Sequence, residues 1–194
     1  MKRLNRLTKY KISLNGSWQF SFWDKTESKR IKSKAEAEAE GIAFYPCTVP
    51  GNFELDLFEN GFEKDPFFGT NALDYRKYEY YDLFYTRSFD AEQVEEASAV
   101  NLTFEGLDCY ATVYINGTAA AETDNMLIPQ IINIKPYLQT GTNEIFVHLR
   151  SNLLEARKYE TAVSDNAQKA NLESLYVRRA PHTYGWDIMP RFIC

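Results

Sequence analysis

Hydrophobic and polar residues alternate along much of the chain, and this alternation predicts β-strands. In residues 14–22 the large apolar side chains Trp18, Phe20 and Phe22 occupy every second position and share one face of an extended segment. We therefore expect these three side chains to lie in the core. The same period recurs later in the chain, at residues 83–89, 100–104, 111–115, 128–134 and 144–149. Strands at this spacing predict an antiparallel β-sandwich.

Turn and breaker residues refine this strand pattern. Asn116-Gly117 between two alternating segments predicts a tight hairpin, with the chain returning through residues 118–122. Pro46 cannot donate a ladder hydrogen bond, so the short strand at 43–49 is expected at a sheet edge. These features indicate a mostly β protein.

Two segments do not follow the strand pattern. Residues 27–40 have helix-forming composition but no apolar stripe, which predicts an exposed helix or a loop. Residues 52–75 are irregular and aromatic, with one helical turn at 55–58. Ordered loops of this length are more often functional than not, so a functional role is expected there.

Composition and charge narrow the possible partners. The chain has 194 residues, enough for one full core, and 15% aromatic content, which favours sheet. Its net charge of −5 does not favour binding to nucleic acid or to an anionic membrane. No apolar run is long enough to span a bilayer and no signal peptide is visible, so the sequence leaves the compartment open.

Metal and cofactor chemistry finds no support in the sequence. The three cysteines, Cys47, Cys109 and Cys194, are scattered and form no C-x-x-C pair. Of the two histidines, His148 lies within a predicted strand and is expected to point to the solvated side. We expect no metal site and no cofactor.

Several residue groups could be interpreted either as structural or as functional. An aromatic cluster is explained by packing about as well as by a carbohydrate platform, and its members are Tyr75, Tyr78, Tyr80, Tyr81, Phe84 and Tyr85. Glu54 with Asp56, and Glu63 with Asp65, are spaced as carboxylate pairs, but nothing in the sequence buries them. We therefore do not assign them a catalytic role.

Eight short motifs, taken in order, resemble the family-two glycoside hydrolases of the β-mannosidase kind. They are Asn-Gly-Ser-Trp at 15–18, Val-Pro-Gly at 49–51, Asp-Pro-Phe-Phe-Gly at 65–69, Tyr-Thr-Arg-Ser-Phe at 85–89, Leu-Thr-Phe-Glu-Gly-Leu-Asp-Cys at 102–109, Val-Tyr-Ile-Asn-Gly at 113–117, Gly-Thr-Asn-Glu-Ile at 141–145 and Val-Arg-Arg-Ala-Pro-His-Thr-Tyr-Gly-Trp-Asp at 177–187. The last motif is the most specific of them. The resemblance covers most of the chain.

The resemblance implies an N-terminal jelly-roll, galactose-binding-domain-like β-sandwich of a multidomain enzyme, followed by an immunoglobulin-like domain and a (β/α)₈ barrel. In this family two barrel glutamates perform retaining catalysis, with carboxyl groups about 5–5.5 Å apart. Both are expected downstream, so the resemblance implies no catalytic residue in this chain.

The resemblance also implies a substrate-binding role for Trp186 and Asp187. In β-mannosidases the Gly-Trp-Asp element reaches the mouth of the barrel and helps to form the pocket for a terminal mannose. A carboxylate that accepts hydrogen bonds from two sugar hydroxyls, beside an aromatic side chain, is well suited to bind a sugar. The chain departs from the family at Ile188-Met189-Pro190, where Trp-Gly-Pro is usual. This departure puts the substrate in question, and related β-glycosides stay open.

The sequence thus predicts an N-terminal extension at 1–13, a jelly-roll domain at 14–151 and a partly helical, irregular segment at 152–194 that leads towards downstream domains. The predicted function is that of the N-terminal domain of a retaining glycosidase acting on terminal β-mannosides or related β-glycosides. Its expected partners are a carbohydrate and the downstream domains of the same polypeptide. A free-standing carbohydrate-binding module and a structural interdomain module are the alternatives.

Overall fold

The architecture is a sandwich of one large and one small antiparallel sheet. The computed structural model describes residues 11–24, 30–91, 97–160, 174–185 and 191–193. Its eight strands are β1 (Gly16–Trp23), β2 (Tyr45–Val49), β3 (Asp82–Asp90), β4 (Asn101–Phe104), β5 (Ala111–Ile115), β6 (Thr118–Thr123), β7 (Gln130–Asn133) and β8 (Thr142–Leu149). Three short α-helices are α1 (Lys34–Ala39), α2 (Phe53–Glu59) and α3 (Asn152–Ala156). Stretches of 3₁₀-helix lie at Asn71–Tyr80, Lys135–Tyr137 and Pro181–Thr183.

Six strands form the large sheet in the order β2-β1-β3-β8-β5-β6, and β4 pairs with β7 in the small one. Every strand pair is antiparallel. The prediction of a mostly β, antiparallel sandwich is confirmed. Pro46 lies in β2 at the sheet edge, as expected.

The main core fills the space between the large sheet and the elements that cover its inner face. Trp18 and Phe20 of β1 are buried there, and Phe22 packs against the same cluster, which confirms their predicted core position. Leu102 of β4 and Ile132 of β7 cover this face from the small sheet. Because apolar residues two apart point to the same side of a strand, the alternation seen in the sequence supplies this layer directly.

The outer face of the large sheet is covered as well. Phe84, Tyr114 and Phe146 project from three neighbouring strands and bury Ala37 of α1 together with Ile31. Of the predicted exposed helix or loop at 27–40, the helix is present as α1, and only Ala37 within it is buried. A single alanine and a flanking isoleucine suffice to dock so short a helix, so no apolar stripe is required.

His148 is buried, which corrects its predicted solvated position. It lies on the outer face of β8, only 3% exposed, with its Nε2 2.8 Å from Oδ2 of Asp82. Asp82 also accepts a hydrogen bond from the backbone N–H of Ser151. These groups cover the outer face of β8 at His148. A polar residue in the alternating pattern of this strand is therefore not necessarily exposed to solvent.

The remaining sequence predictions on organisation stay open. α3 and residues of the described stretch 174–185 pack against the sandwich, and the boundaries at 13 and 151 remain predictions. None of the described helices is both long and apolar enough to cross a membrane.

Candidate functional site

The end of the described chain forms a loop whose two ends are pinned together. Tyr184 and Arg191 form an antiparallel bridge, and the backbone N–H of Phe192 donates to the carbonyl of Thr183 at 2.9 Å. The predicted substrate-binding residues Trp186 and Asp187 belong to the segment between these ends, and they lie outside the described residues. The structure therefore defines the base on which this segment is mounted.

A tyrosine between two arginines forms the centre of this base. The guanidinium carbons of Arg179 and Arg191 lie 5.3 and 5.7 Å from the ring centroid of Tyr184. Tyr184 is buried, and burial raises the pKa of its hydroxyl, so the ring stays neutral and keeps the electron-rich face that attracts cations.

Each arginine has a carboxylate partner from the sandwich. Nε of Arg191 is 2.7 Å from Oε1 of Glu79, and the two side chains are 14% and 9% exposed. A guanidinium nitrogen of Arg179 is 2.6 Å from Oδ2 of Asp108. Burial lowers the pKa of Arg191 and raises the pKa of Asp108, in each case against the opposing charge of its partner. Such pairs are costly to break from one side, because a buried charge is left behind.

α2 supplies a further attachment point. The side chain of Asn52 caps this helix by accepting a hydrogen bond from the backbone N–H of Leu55 at 2.9 Å. The first helical residue, Phe53, is buried in the main core. Glu54, fully buried, accepts a hydrogen bond from the backbone N–H of Ile193. The helix thus holds the chain just beyond the bridge.

The carboxylate pairs noted in the sequence have structural roles. Asp56 is buried, not exposed, and accepts from the hydroxyl of Tyr85 at 2.8 Å. Burial raises the pKa of Asp56 to about 6, the charge of Glu59 adds to this, and the bond from Tyr85 opposes it. Glu63 accepts from the hydroxyl of Tyr78 at 2.9 Å.

The aromatic cluster of the sequence does not form one platform. Tyr75 and Tyr78 are buried in the main core, and the hydroxyl of Tyr75 donates to the carbonyl of Lys64 at 2.6 Å. Phe84 points to the outer face of the sheet, whereas Tyr80 is exposed. Packing is therefore the correct interpretation of most of its members.

Exposed apolar side chains occur instead in residues 67–73, a turn that leads into the 3₁₀-helix at Asn71–Tyr80. Phe67 and Phe68 are 67% and 74% exposed, and Leu73 is 65% exposed. The ring of Phe67 lies 5.7 Å from that of Phe192, next to the bridge. The sequence marked residues 52–75 as functional and placed Phe67 and Phe68 in the Asp-Pro-Phe-Phe-Gly motif, but local sequence could not show that their side chains are exposed.

The two described cysteines are buried thiols. Cys109 packs with Val177 and Tyr184, and its sulfur is 3.4 Å from the carbonyl of Arg178. Burial raises the pKa of Cys109 to about 11 and that of Cys47, in β2, to about 12. Among the described residues no group of three or more histidine, cysteine, aspartate and glutamate side chains could hold a metal ion.

Comparison with protein families places this arrangement in context. The sequence profile of the family described as "Glycosyl hydrolase 2 galactose-binding domain-like" matches residues 18–194. The chain belongs to this family. The resemblance drawn from the eight motifs is thereby confirmed.

Relatives of this glycosyl hydrolase 2 domain are β-mannosidases. It is 30% identical over 186 residues to "Beta-mannosidase B" of Thermothelomyces thermophilus, an alignment covering 94% of this chain and 20% of that protein. It is 26% identical to the "Probable beta-mannosidase" of Caenorhabditis elegans, covering 93% of this chain and 20% of the relative. The chain thus spans about one fifth of the length of these curated relatives.

Solved structures agree on the fold. The crystal structure of "Beta-D-Mannosidase from Dictyoglomus thermophilum" superposes with a TM-score of 0.74 at 31% identity, covering 94% of this chain and 21% of that one. A β-glucuronidase from Ruminococcus gnavus gives a TM-score of 0.52 at 22% identity over 72% of this chain, a likeness in fold alone. The glycosyl hydrolase 2 domain described here is therefore homologous to the N-terminal fifth of β-mannosidases.

Proposed function

We propose that this domain serves a retaining glycoside hydrolase that removes terminal β-mannosides or closely related β-glycosides. In this proposal the catalytic glutamates belong to a barrel domain of the same polypeptide. The domain described here contributes Trp186 and Asp187 to the rim of the sugar pocket. The observation that carries the proposal is the fixed base of this loop. The backbones of Tyr184 and Arg191 pair in an antiparallel bridge, and the ion pairs Arg179–Asp108 and Arg191–Glu79 lie beside it.

The chemistry assigned to the two residues follows from their side chains. The flat indole of Trp186 packs against the apolar C–H face of a sugar ring. The carboxylate of Asp187 accepts hydrogen bonds from two hydroxyls, and bonds to a charged acceptor are stronger than neutral ones. A recognition group of this kind is effective only if its position is fixed before the substrate arrives. The buried pairs Arg191–Glu79 and Arg179–Asp108 provide that rigidity at the base of the loop.

The test uses the full polypeptide that carries this domain, with aryl β-mannoside, β-glucoside, β-galactoside and β-N-acetylglucosaminide as substrates. We expect the β-mannoside to have the highest kcat/KM. Asp187→Asn should lower that value about 10- to 100-fold, the equivalent of losing charge-assisted hydrogen bonds worth about 1.5–3 kcal/mol.

Asp24→Asn, at an exposed position near the end of β1, is the matched control and should leave kcat/KM unchanged. An unmodified enzyme that prefers another of the four glycosides would overturn the substrate assignment. An Asp187→Asn enzyme as active as the control would remove the pocket role of the loop.

A second candidate is a carbohydrate-binding module that acts without a catalytic partner. The exposed rings of Phe67 and Phe68 favour it, because adjacent exposed aromatics can stack on sugar rings. Calorimetric titration of this chain with β-mannobiose distinguishes the two candidates. Saturable binding that Phe68→Ser abolishes would support the module, and no heat of binding would argue against it.

A further inference from the structure

The dipeptide Asn-Gly occurs in the chain at positions 15–16, 60–61 and 116–117. The glycine of each dipeptide has a positive φ, between 75° and 108°. A residue with a Cβ atom adopts this conformation only at a cost, so glycine is suited to all three positions. A residue without a side chain also lets its backbone nitrogen approach the side-chain amide of the asparagine before it. The three sites therefore share one reactive arrangement and differ in their surroundings.

An Asn-Gly dipeptide can lose ammonia by deamidation. The glycine nitrogen gives up its proton and forms a bond to Cγ of the asparagine, the Cγ–Nδ2 bond breaks, and Nδ2 leaves as ammonia. The product is a cyclic succinimide. Water then opens the ring at either of its carbonyls and gives aspartate or isoaspartate. The ring closes only if the amide can turn towards the backbone, so hydrogen bonds that hold the amide slow the reaction.

The asparagine of the β5–β6 hairpin is held through both polar atoms of its side chain. Nδ2 of Asn116 donates to the carbonyl of Tyr137 at 2.9 Å and to Oδ1 of Asn143 at 2.8 Å. Its Oδ1 accepts from the backbone N–H of Glu144 at 2.9 Å. These hydrogen bonds must break before the amide of Asn116 can turn towards Gly117.

The asparagine that ends α2 is held in a similar way. Nδ2 of Asn60 donates to the carbonyls of Pro46 and Asp56 at 3.0 and 2.8 Å. The attacking nitrogen is engaged as well, because the backbone N–H of Gly61 donates to the carbonyl of Phe58 at 3.0 Å. Asn60 is thus protected at both ends of the bond that would form.

Asn15 lacks these restraints. It is exposed and precedes β1, outside any helix or strand. Its hydrogen bonds to other described residues come from the backbone alone: the N–H donates to Oγ of Ser13 at 3.3 Å, and the carbonyl accepts from Nη1 of Arg87 at 3.0 Å. Of the three asparagines, Asn15 is therefore the one whose amide no described group holds away from its glycine.

We propose that Asn15 is a site of spontaneous deamidation and that the fold protects Asn60 and Asn116 from the same reaction. Water is the only co-reactant, and mildly alkaline pH accelerates ring closure because the attacking nitrogen must lose its proton. The inference does not depend on the proposed glycosidase function.

The modification changes a point at which the start of β1 is tied to the sheet. Nη1 of Arg87, in β3, donates to the carbonyls of Leu14 and Asn15 at 2.6 and 3.0 Å. Nε1 of Trp18 donates to the same carbonyl of Leu14 at 2.7 Å. Isoaspartate carries the main chain through Cβ, so it displaces the carbonyl of residue 15 from Arg87 and adds a carboxylate nearby.

Incubation of the full polypeptide that carries this domain in mildly alkaline water labelled with heavy oxygen tests the proposal. Hydrolysis of the succinimide places the label in the residue, so mass spectrometry of the digested protein measures deamidation at the three sites in one sample. We expect the folded protein to gain label at position 15 at least about 10-fold faster than at positions 60 and 116, because each of the latter must first break two or more hydrogen bonds.

The same protein unfolded in urea is the matched control, because it keeps the three dipeptides and removes their surroundings. All three sites should then gain label at similar rates. In folded Asn15→Gln the label should disappear from the peptide that contains this position, because glutamine must close a larger ring. A folded wild type in which position 15 gains label no faster than positions 60 and 116 would overturn the proposal.

Discussion

At the scale of single residues, the most informative feature is the burial of carboxylates that a sequence would place on the surface. Glu54, Asp56 and Glu79 all lie below 9% exposure. Glu54 and Glu79 each have a partner in the loop base, whereas Asp56 is paired with a tyrosine of β3. The first two therefore serve the loop base, and the third is a feature of the core whose charge depends on pH.

Asp56 predicts a pH-dependent stability that can be isolated by one substitution. Its pKa in the folded protein is about 6, above the ordinary value of 3.8, so the folded state binds this proton more tightly than the unfolded chain does. The free energy of unfolding of the wild type should therefore fall, relative to Asp56→Asn, as pH rises from about 4 to about 7. We expect a change of roughly 1–2 kcal/mol after allowance for solvent screening.

Urea unfolding at several pH values measures this difference. Asp74→Asn, at an exposed position, is the control for loss of a carboxylate without burial. A difference between Asp56→Asn and wild type that does not vary with pH would contradict the prediction.

Sequence reasoning could not find these residue pairs, because their members are far apart in the chain. His148 is 66 residues from Asp82, Arg179 is 71 from Asp108, and Glu54 is 139 from Ile193. Local alternation tells which side of a strand a residue faces, but not whether that side is closed by another segment. The misplacement of His148 follows directly from this limit.

At the scale of elements, the hairpin signals were reliable, and side-chain amides explain why. Asn116 enters the turn between β5 and β6 in the left-handed region, with φ 50°, and its amide donates to Oδ1 of Asn143 at 2.8 Å. Asn143, which is 1% exposed, also accepts from the N–H of Gln139 and donates to the carbonyls of Gln139 and Gly141. One buried amide therefore joins the β5–β6 turn to the turn before β8.

Asn143→Asp should test this junction. The substitution keeps the shape of the side chain but removes its donors, and it places a carboxylate beside two carbonyls. We expect a loss of about 2–4 kcal/mol in the free energy of unfolding at pH 7. For a domain of this size that corresponds to a fall in Tm of about 5–15 °C.

Asn101→Asp, at an exposed position on β4, is the matched control and should change Tm little. Equal effects of the two substitutions in differential scanning calorimetry would show that the Asn143 junction is not important for stability.

Elements whose burial depends on a distant surface were harder to predict than strands. The six segments of period-two alternation each overlap a strand of the structure, because alternation is a local property. α1 was predicted as an exposed helix or a loop, but its one buried contact could not be foreseen, because Ala37 packs on a surface assembled from Phe84, Tyr114 and Phe146 of three strands. The stretch at 52–75 was recognised as unusual. Its sequence alone could not predict the 3₁₀-helix at Asn71–Tyr80 or the ion pair that Glu79 of this helix forms with the distant Arg191.

At the scale of the whole molecule, both faces of the large sheet are covered, and the most exposed large apolar side chains of the described residues lie in two stretches, 67–73 and 127–131. The side chains of Phe67 and Phe68 are presented to water, and adjacent exposed aromatic rings favour contacts between protein molecules. The 194-residue chain should then self-associate as its concentration rises, and it should not hydrolyse aryl β-mannosides.

Light scattering over a range of concentrations measures the self-association. The double substitution Phe67→Ser and Phe68→Ser should shift the chain towards a monomer, whereas Ile131→Ser should not. A wild-type chain that stays monomeric at every concentration would contradict this prediction.

The buried thiol of Cys109 gives the molecule an internal chemical reporter. Its sulfur lies beneath the carbonyl of Arg178, and with a pKa of about 11 it is almost entirely protonated at neutral pH. The carbonyl of Asp124 lies 3.1 Å from the same sulfur, so a thiol reagent reaches Cys109 when the contact between this turn and the segment from 176 to 184 opens, whereas Cys47 lies in the edge strand β2. Peptide mapping can compare the alkylation rate of Cys109 with that of Cys47. A faster rate at Cys109 therefore reports that the base of the Trp186–Asp187 loop detaches while the rest of the sandwich remains folded.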